Sequence, residues 1–253
     1  MKKDDGLKKR YIELANKSYN QGIYTFTEFL GLSEQSVLSE IEDELRYVGV
    51  SKWGGISDCE RVVVRFGKEE DMGYEEKYPI VCLIIKPVMQ KFADDLTHRD
   101  ILGALMNLGI TREKLGDIIL HKNEAYVFCI DKIADYICDN LTRVRHTTIS
   151  ILIEDEVEKI ENLSRENYNS CIITVDSKRL DAIIAKVYKI SRNTSVNLFK
   201  SKKIFVNGKL CMGNSTIIKD GDIVSIRGKG RIKYMGNESE TKKGRIRMEV
   251  WKL

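Results

Sequence analysis

The sequence predicts an α+β protein in three parts: a mostly helical N-terminal region (residues 1–72), a ferredoxin-like βαββαβ unit (73–160) and a small basic domain (176–253). Three observations carry this. Short apolar runs alternate with helical spacing through the middle of the chain. Near the C-terminus a helix pair is followed by an Asn-Gly turn between strand-like segments. Charge is also segregated: 19 Lys+Arg stand against 7 Asp+Glu from Asp176 to Leu253, and 23 against 31 in the other 175 residues. The whole-chain charge of +4 thus conceals +12 on one part and −8 on the rest. A basic module on an acidic body points to a polyanion partner, usually nucleic acid.

The bulk properties are those of an ordinary globular chain, with 42% hydrophobic and 32% charged residues in 253. No apolar run is longer than that of Ile80–Ile85, which is far short of the ~20 residues that span a bilayer. The charged start, Met1-Lys2-Lys3-Asp4-Asp5-Gly6, lacks the apolar core of a secretory signal. Six cysteines (Cys59, Cys82, Cys129, Cys138, Cys171, Cys211) include no Cys-x-x-Cys pair. They read as small hydrophobes in a reduced cytoplasm, with no zinc site and no cofactor expected.

Leu7–Ser18 and Glu34–Val48 have helical patterns, the second with Ser33 as its expected N-cap. Tyr24–Leu30 is aromatic and ambiguous, Arg61–Phe66 reads as a strand, and the acidic run Glu69-Glu70-Asp71 as a linker or exposed loop. In the middle part, Ile80–Ile85, stopped by Pro87, is expected to be a central buried strand. Thr97 caps a helix with Asp100 in the third position and Gly109 as its stop. Asp117–Leu120 and Glu124–Ile130 form a hairpin around His121-Lys122-Asn123. Asp131 caps a second helix with Ile133, Tyr136, Ile137 and Leu141 inward, and Thr147–Ile153 closes the unit.

In the basic part Leu180, Ile183, Ile184, Val187 and Tyr188 mark an amphipathic helix over Lys178–Lys189. Ser191 caps a second helix to about Ser201, with Val196 and Phe199 inward. Ile204–Val206, the Asn207-Gly208 turn, Asp222–Arg227 and a terminal hairpin of Arg231–Met235 with Arg245–Trp251 complete it.

Arg179-Leu180-Asp181, Ser191-Arg192, Lys202-Lys203-Ile204-Phe205-Val206-Asn207-Gly208 and Lys219-Asp220-Gly221-Asp222-Ile223 together resemble the S4 RNA-binding domain over roughly residues 178–230. Where that pattern often has Ala after Ser-Arg, this chain has Thr194-Ser195. Physical chemistry points the same way, because arginines at helix starts and lysines beyond a helix end suit phosphate oxygens. The candidate RNA contacts are Lys178, Arg179, Ser191, Arg192, Lys200, Lys202, Lys203, Asn207, Lys209, Arg227, Lys229 and Arg231. The alternative for each is a solvated surface charge. Gly228-Lys229-Gly230-Arg231 lacks the length and following helix of a P-loop and reads as a basic turn.

Residues His98 to Glu113 with Gly116-Asp117-Ile118, together with Gly54-Gly55 and Glu60-Arg61, are similar to the bacterial YlmH family. That resemblance implies a cytoplasmic, ribosome-associated factor of Gram-positive-type bacteria, linked to rescue of stalled large subunits carrying peptidyl-tRNA and more loosely to cell division. The expected partners are rRNA, tRNA or both, and the large subunit; the expected state is a monomer. Tyr126 and Phe128 share one strand face, as stacking aromatics do in RRM-like domains, but core packing is the simpler reading because the RNP1 string is absent. His98-Arg99-Asp100 reads as a helix start before acid/base chemistry, and a contact of Arg99 or Arg112 with RNA or a partner is the sharper alternative.

Two other function classes compete with this reading. Arg179-Leu180-Asp181 resembles a pseudouridine-synthase string, yet it opens the S4-like helix and no catalytic domain follows. No glycine-rich strand-turn-helix for a methyl donor is present. No catalytic residue or metal ligand is therefore assigned. An RNA-modifying enzyme and a division-linked RNA-binding adaptor are the alternatives to a non-catalytic RNA-binding protein.

Overall fold

A computed structural model describes residues 2–57, 59–154, 160 and 169–253. The chain divides into two compact units, residues 1–165 and 166–253, each mixing helix and sheet. The segments 1–72 and 73–160 thus pack within one unit.

The first unit opens with α1 (Lys2–Gln21), β1 (Thr25–Phe26) and α2 (Leu32–Ser39), followed by β2 (Val50–Trp53), β3 (Val63–Phe66) and the one-turn α3 (Glu69–Met72). The region expected to be mostly helical therefore also holds an antiparallel sheet, order β1-β3-β2. Its central strand is buried on both faces. Val64 and Phe66 pack with Tyr11, Ala15, Leu38 and Leu45, while Val63 packs with Phe29 and Ile56 on the middle sheet. Such a strand shows no polar alternation. Gly31, not Ser33, starts α2: its backbone is extended (φ −80, ψ 174), and its N–H donates to the Glu34 carboxylate at 2.7 Å. The helix expected to reach Val48 stops at Ser39, and a 3-10 turn, Glu42–Leu45, follows. The acidic run forms α3 and not an open loop, closed by left-handed Gly73 (φ 76).

The middle segment contains β4 (Ile80–Pro87), α4 (His98–Asn107), β5 (Leu115–His121), β6 (Glu124–Ile130), α5 (Ala134–Asn140), β7 (Arg143–Val144) and β8 (Thr147–Glu154). Its five strands run in the order β5-β6-β4-β8-β7, all neighbours antiparallel. Central β4 sends Leu83 and Ile85 towards α4 and α5 and Cys82 and Ile84 towards the N-terminal segment. Burial on both faces explains its unbroken apolar run. Thr97 caps α4, its Oγ1 accepting from the Asp100 N–H at 3.3 Å, while Asp100 accepts from the Thr97 N–H at 3.0 Å. Lys122 and Asn123, both at positive φ, form the β5–β6 turn. Asp131 starts a 3-10 turn ahead of α5, so it does not cap that helix. Tyr136, expected inward, is 48% exposed and donates its hydroxyl to the Leu108 carbonyl at 3.2 Å. Residues 155–159, the end of the expected 73–160 span apart from Ile160, lie outside the described residues.

The second unit contains β9 (Asn169–Val175), α6 (Leu180–Val187), α7 (Arg192–Lys200), β10 (Ile204–Val206), β11 (Lys209–Leu210), β12 (Ile223–Ile226), β13 (Gly230–Glu240) and β14 (Ile246–Lys252). The sheet order is β11-β10-β12-β13-β14-β9. Because β9 pairs along β14, the sheet begins before Asp176, where the basic part was expected to start. Leu180, Ile183, Ile184, Val187 and Phe199 of the helix pair share a core with Val224, Ile226, Ile232, Met248 and Val250. Asn207 (φ 47) and Gly208 (φ 78) make the two-residue hairpin turn. On α7 the fully buried pair is Ser195 and Phe199, while Val196 is only partly buried. The Ser195 hydroxyl has no hydrogen-bond partner among the described residues. Among those residues no helix is long and apolar enough to cross a membrane.

Candidate nucleic-acid interface

The starts of α6 and α7 meet at one buried carboxylate. Asp181 is 1% exposed and accepts from Arg179 Nε (3.1 Å) and Nη2 (3.0 Å) and from Arg192 Nε (3.3 Å). It also accepts from the Ala182 N–H (2.9 Å) and Asn214 Nδ2 (3.4 Å). Burial pushes the Asp181 carboxyl up, but the hydrogen bonds from Arg179 and Arg192 outweigh it and hold it below the usual carboxylate range. The two arginine side chains are 36% and 53% exposed. A guanidinium has five N–H donors, so each has capacity left for an anion arriving from solvent.

A second group of cations lies at and beyond the end of α7. Lys200, Lys202 and Lys203 are exposed, and the Arg227 N–H donates to the Lys203 carbonyl at 2.9 Å. The Arg227 guanidinium sits 4.5 Å above the Phe205 ring. A third group shares Tyr188, whose ring has Lys229 Nζ at 5.9 Å and Lys252 Nζ at 5.2 Å. Aromatic faces fix the cations while leaving their donors accessible.

Three sequence candidates use their side chains inside the fold. Lys178 pairs with Glu238 at 2.8 Å. Ser191 Oγ accepts from the Thr194 N–H at 3.0 Å, capping α7. Asn207 donates to Asp222 Oδ1 at 2.8 Å and accepts from the Ile223 N–H at 2.9 Å, bracing its own turn. Lys209 and Arg231 occupy exposed strand positions. Sequence reasoning missed Asp181 as the organising group, Asn214 as its cover, and Lys252 as a partner of Tyr188. The helical periodicity that placed Tyr188 in the core hid the ring's second use.

The Gly-Gly, Glu-Arg and Gly-Asp elements of the first unit are a packing seam. Arg61 donates to the carbonyls of Leu115 (2.8 Å), Phe29 (2.9 Å) and Arg112 (3.1 Å). Arg112 donates to the carbonyls of Leu115 (2.8 Å) and Gly116 (3.0 Å). Asp117 accepts the N–H groups of Glu60 (2.6 Å) and Arg61 (3.2 Å). Burial raises Asp117 to about 6 against the pull of those donors and lowers Arg112 to about 10. A β-carbon at Gly55 would run into the Phe128 ring, and one at Gly116 would lie 2.7 Å from Phe29. His98 beside this seam is lowered by burial and by Arg112.

Fold and cation placement together define an α+β protein with a built cationic surface on a small helix-and-sheet unit. A family model described as "Putative RNA-binding domain in YlmH" matches residues 74–159. A Bacillus subtilis (strain 168) relative, "Ribosome-associated protein quality control protein P2", is 32% identical over 227 residues, covering 88% of this chain and 84% of its own. A solved structure, "Cell division protein ylmH from Streptococcus pneumoniae", matches at 21% identity with a TM-score of 0.49, over 62% of this chain and 94% of that one. The chain belongs to the YlmH family.

Proposed function

We propose that this protein is a non-catalytic RNA-binding factor of ribosome quality control. It docks on structured rRNA or tRNA through its second unit, an S4-type module, and acts on stalled large subunits that carry peptidyl-tRNA. The observation that carries this reading is the Arg179–Asp181–Arg192 cluster: a buried carboxylate aims two arginines from successive helix starts while their outer donors stay accessible. The aromatic-held Arg227, Lys229 and Lys252 extend the cationic surface. The name of the Bacillus subtilis relative supports the ribosomal setting. Contacts of this kind recognise phosphate and shape more than base sequence. The middle segment is a ferredoxin-like, RRM-like domain.

The test is sedimentation of cell lysate at low and high salt with wild type and a Lys202→Ala/Lys203→Ala/Arg227→Ala/Lys229→Ala variant, whose exposed cations lie outside the core. Wild type should travel with large subunits, and both salt and the variant should weaken that. Each lost phosphate contact should reduce the logarithmic salt slope by about 0.7–0.9. If wild type stays at the top of the gradient with stalled subunits present, the ribosomal reading fails.

A further inference from the structure

The face of the middle sheet that an RRM-like domain would offer to bases is closed here. Tyr126 and Phe128 are 8% and 0% exposed beneath Phe29, Ile56 and Val63. Base stacking on those two rings would require the N-terminal segment to leave the sheet.

The opposite, helical side has an open and cationic cleft of about 470 Å³, where Arg99, Asp100, Asn107, Asn140, Arg143 and Arg145 stand around a largely apolar floor. Nothing lies within 4 Å of where a β-carbon on Gly103 would be. Three arginines against one carboxylate is a local excess of positive charge, on a body whose residues 1–175 carry a net −8. The arginines are exposed and lightly engaged. Arg99, in the first turn of α4, has no hydrogen bond or ion pair among the described residues. Arg143 donates to the His146 carbonyl at a long 3.4 Å. Arg145 lies 3.7 Å from Asp100 and sits in the β7–β8 turn at φ 53. Left-handed backbone is a poor choice for arginine and an ordinary one for glycine or asparagine, so the turn itself gains nothing from this side chain.

We propose that this cleft is a second RNA-backbone contact, carried by the first unit and separate from the basic one. It takes a phosphate between Arg99, Arg143 and Arg145, with the Asn107 and Asn140 amides reaching sugar hydroxyls or base edges. The proposal rests on the RNA-binding reading above and moves the RNA contact of residues 74–159 from the sheet face to the helical side.

The experiment compares full-length proteins for binding to purified large-subunit rRNA between 50 and 200 mM salt, with thermal melts as the folding control. An Arg99→Gln/Arg143→Gln/Arg145→Gln variant, which removes one phosphate contact, should lower the logarithmic salt slope by about 0.7–0.9 while melting like wild type. Gly103→Glu, which sets a carboxylate in the open cleft, should weaken binding by a similar factor. Each effect should add to that of the second-unit lysine and arginine variant. An unchanged slope in both cleft variants, with loss in the second-unit variant, overturns the cleft and leaves the earlier reading standing. Loss of subunit cosedimentation with unchanged binding to bare rRNA also overturns it, in favour of an acidic protein partner. Absence of salt-dependent binding by wild type overturns both readings.

Discussion

Arg192, the first residue of α7, reaches back eleven positions to Asp181 at the start of α6, Nε to Oδ2 at 3.3 Å. Arg179 grips the same carboxylate in a bidentate pair, so one buried charge registers two helix starts. Asp181→Ala should therefore destabilise the second unit by about 2–3 kcal/mol, because buried donors lose their acceptor and two arginines lose their anchor. Arg192→Ala should cost about 1 kcal/mol or less, since its side chain is half exposed, yet still reduce RNA affinity at low salt. Urea melts and filter binding separate the two effects.

The two buried aspartates should give opposite pH signatures. Asp117, raised to about 6 in the folded first unit, binds a proton there that the unfolded chain has released. Stability of that unit should fall as pH rises from about 4 to about 6, by on the order of 3 kcal/mol, and level off above. Asp117→Asn should flatten that window. Asp181 is depressed, so its contribution is present above its ordinary range and is lost as pH falls below it. Trp53 and Trp251, one in each unit, allow each limb to be followed by fluorescence in Trp251→Phe and Trp53→Phe backgrounds.

Ser195 offers a stabilising substitution. Its hydroxyl is buried without a partner among the described residues, and the neighbouring Phe199 leaves that side of the helix apolar. Ser195→Ala should raise stability by about 1 kcal/mol through relief of desolvation and better helix propensity. A rise in the urea midpoint with unchanged slope is the expected result.

Gly55 should not accept a side chain. It holds φ 107 and lies against the Phe128 ring, so Gly55→Ala meets both backbone strain and a clash. A loss of about 2–4 kcal/mol is expected in the first unit, with RNA binding of the second unit retained at temperatures where the first stays folded.

Features coded over a few adjacent residues were legible in the sequence. The Thr97–Asp100 cap, the Asn207-Gly208 turn, the apolar run of β4 and the periodicity of α6 all depend on local rules. The β1-β3-β2 sheet was harder, because β1 is two residues long and β3 is buried on both faces, which removes the alternation that marks a strand. The cation set was legible as a composition, but its wiring was not. Asp181 reads as an ordinary first-turn acid, and only the return of Asn214, 33 residues later, encloses it. Lys178 and Asn207 look equally suited to RNA, yet Glu238 of β13 and Asp222, the residue before β12, engage them from far along the chain.

The closed sheet face bears on how the middle segment can be handled alone. A fragment cut to residues 74–159 would lose Phe29, Ile56 and Val63 and bare Cys82, Ile84, Tyr126 and Phe128 together. That surface would be both sticky and aromatic, prone to self-association and able to stack on bases that the intact protein never presents it to. RNA binding measured on such an excised piece would mix a surface created by the cut with the cleft beside α4, which would be the same in fragment and whole.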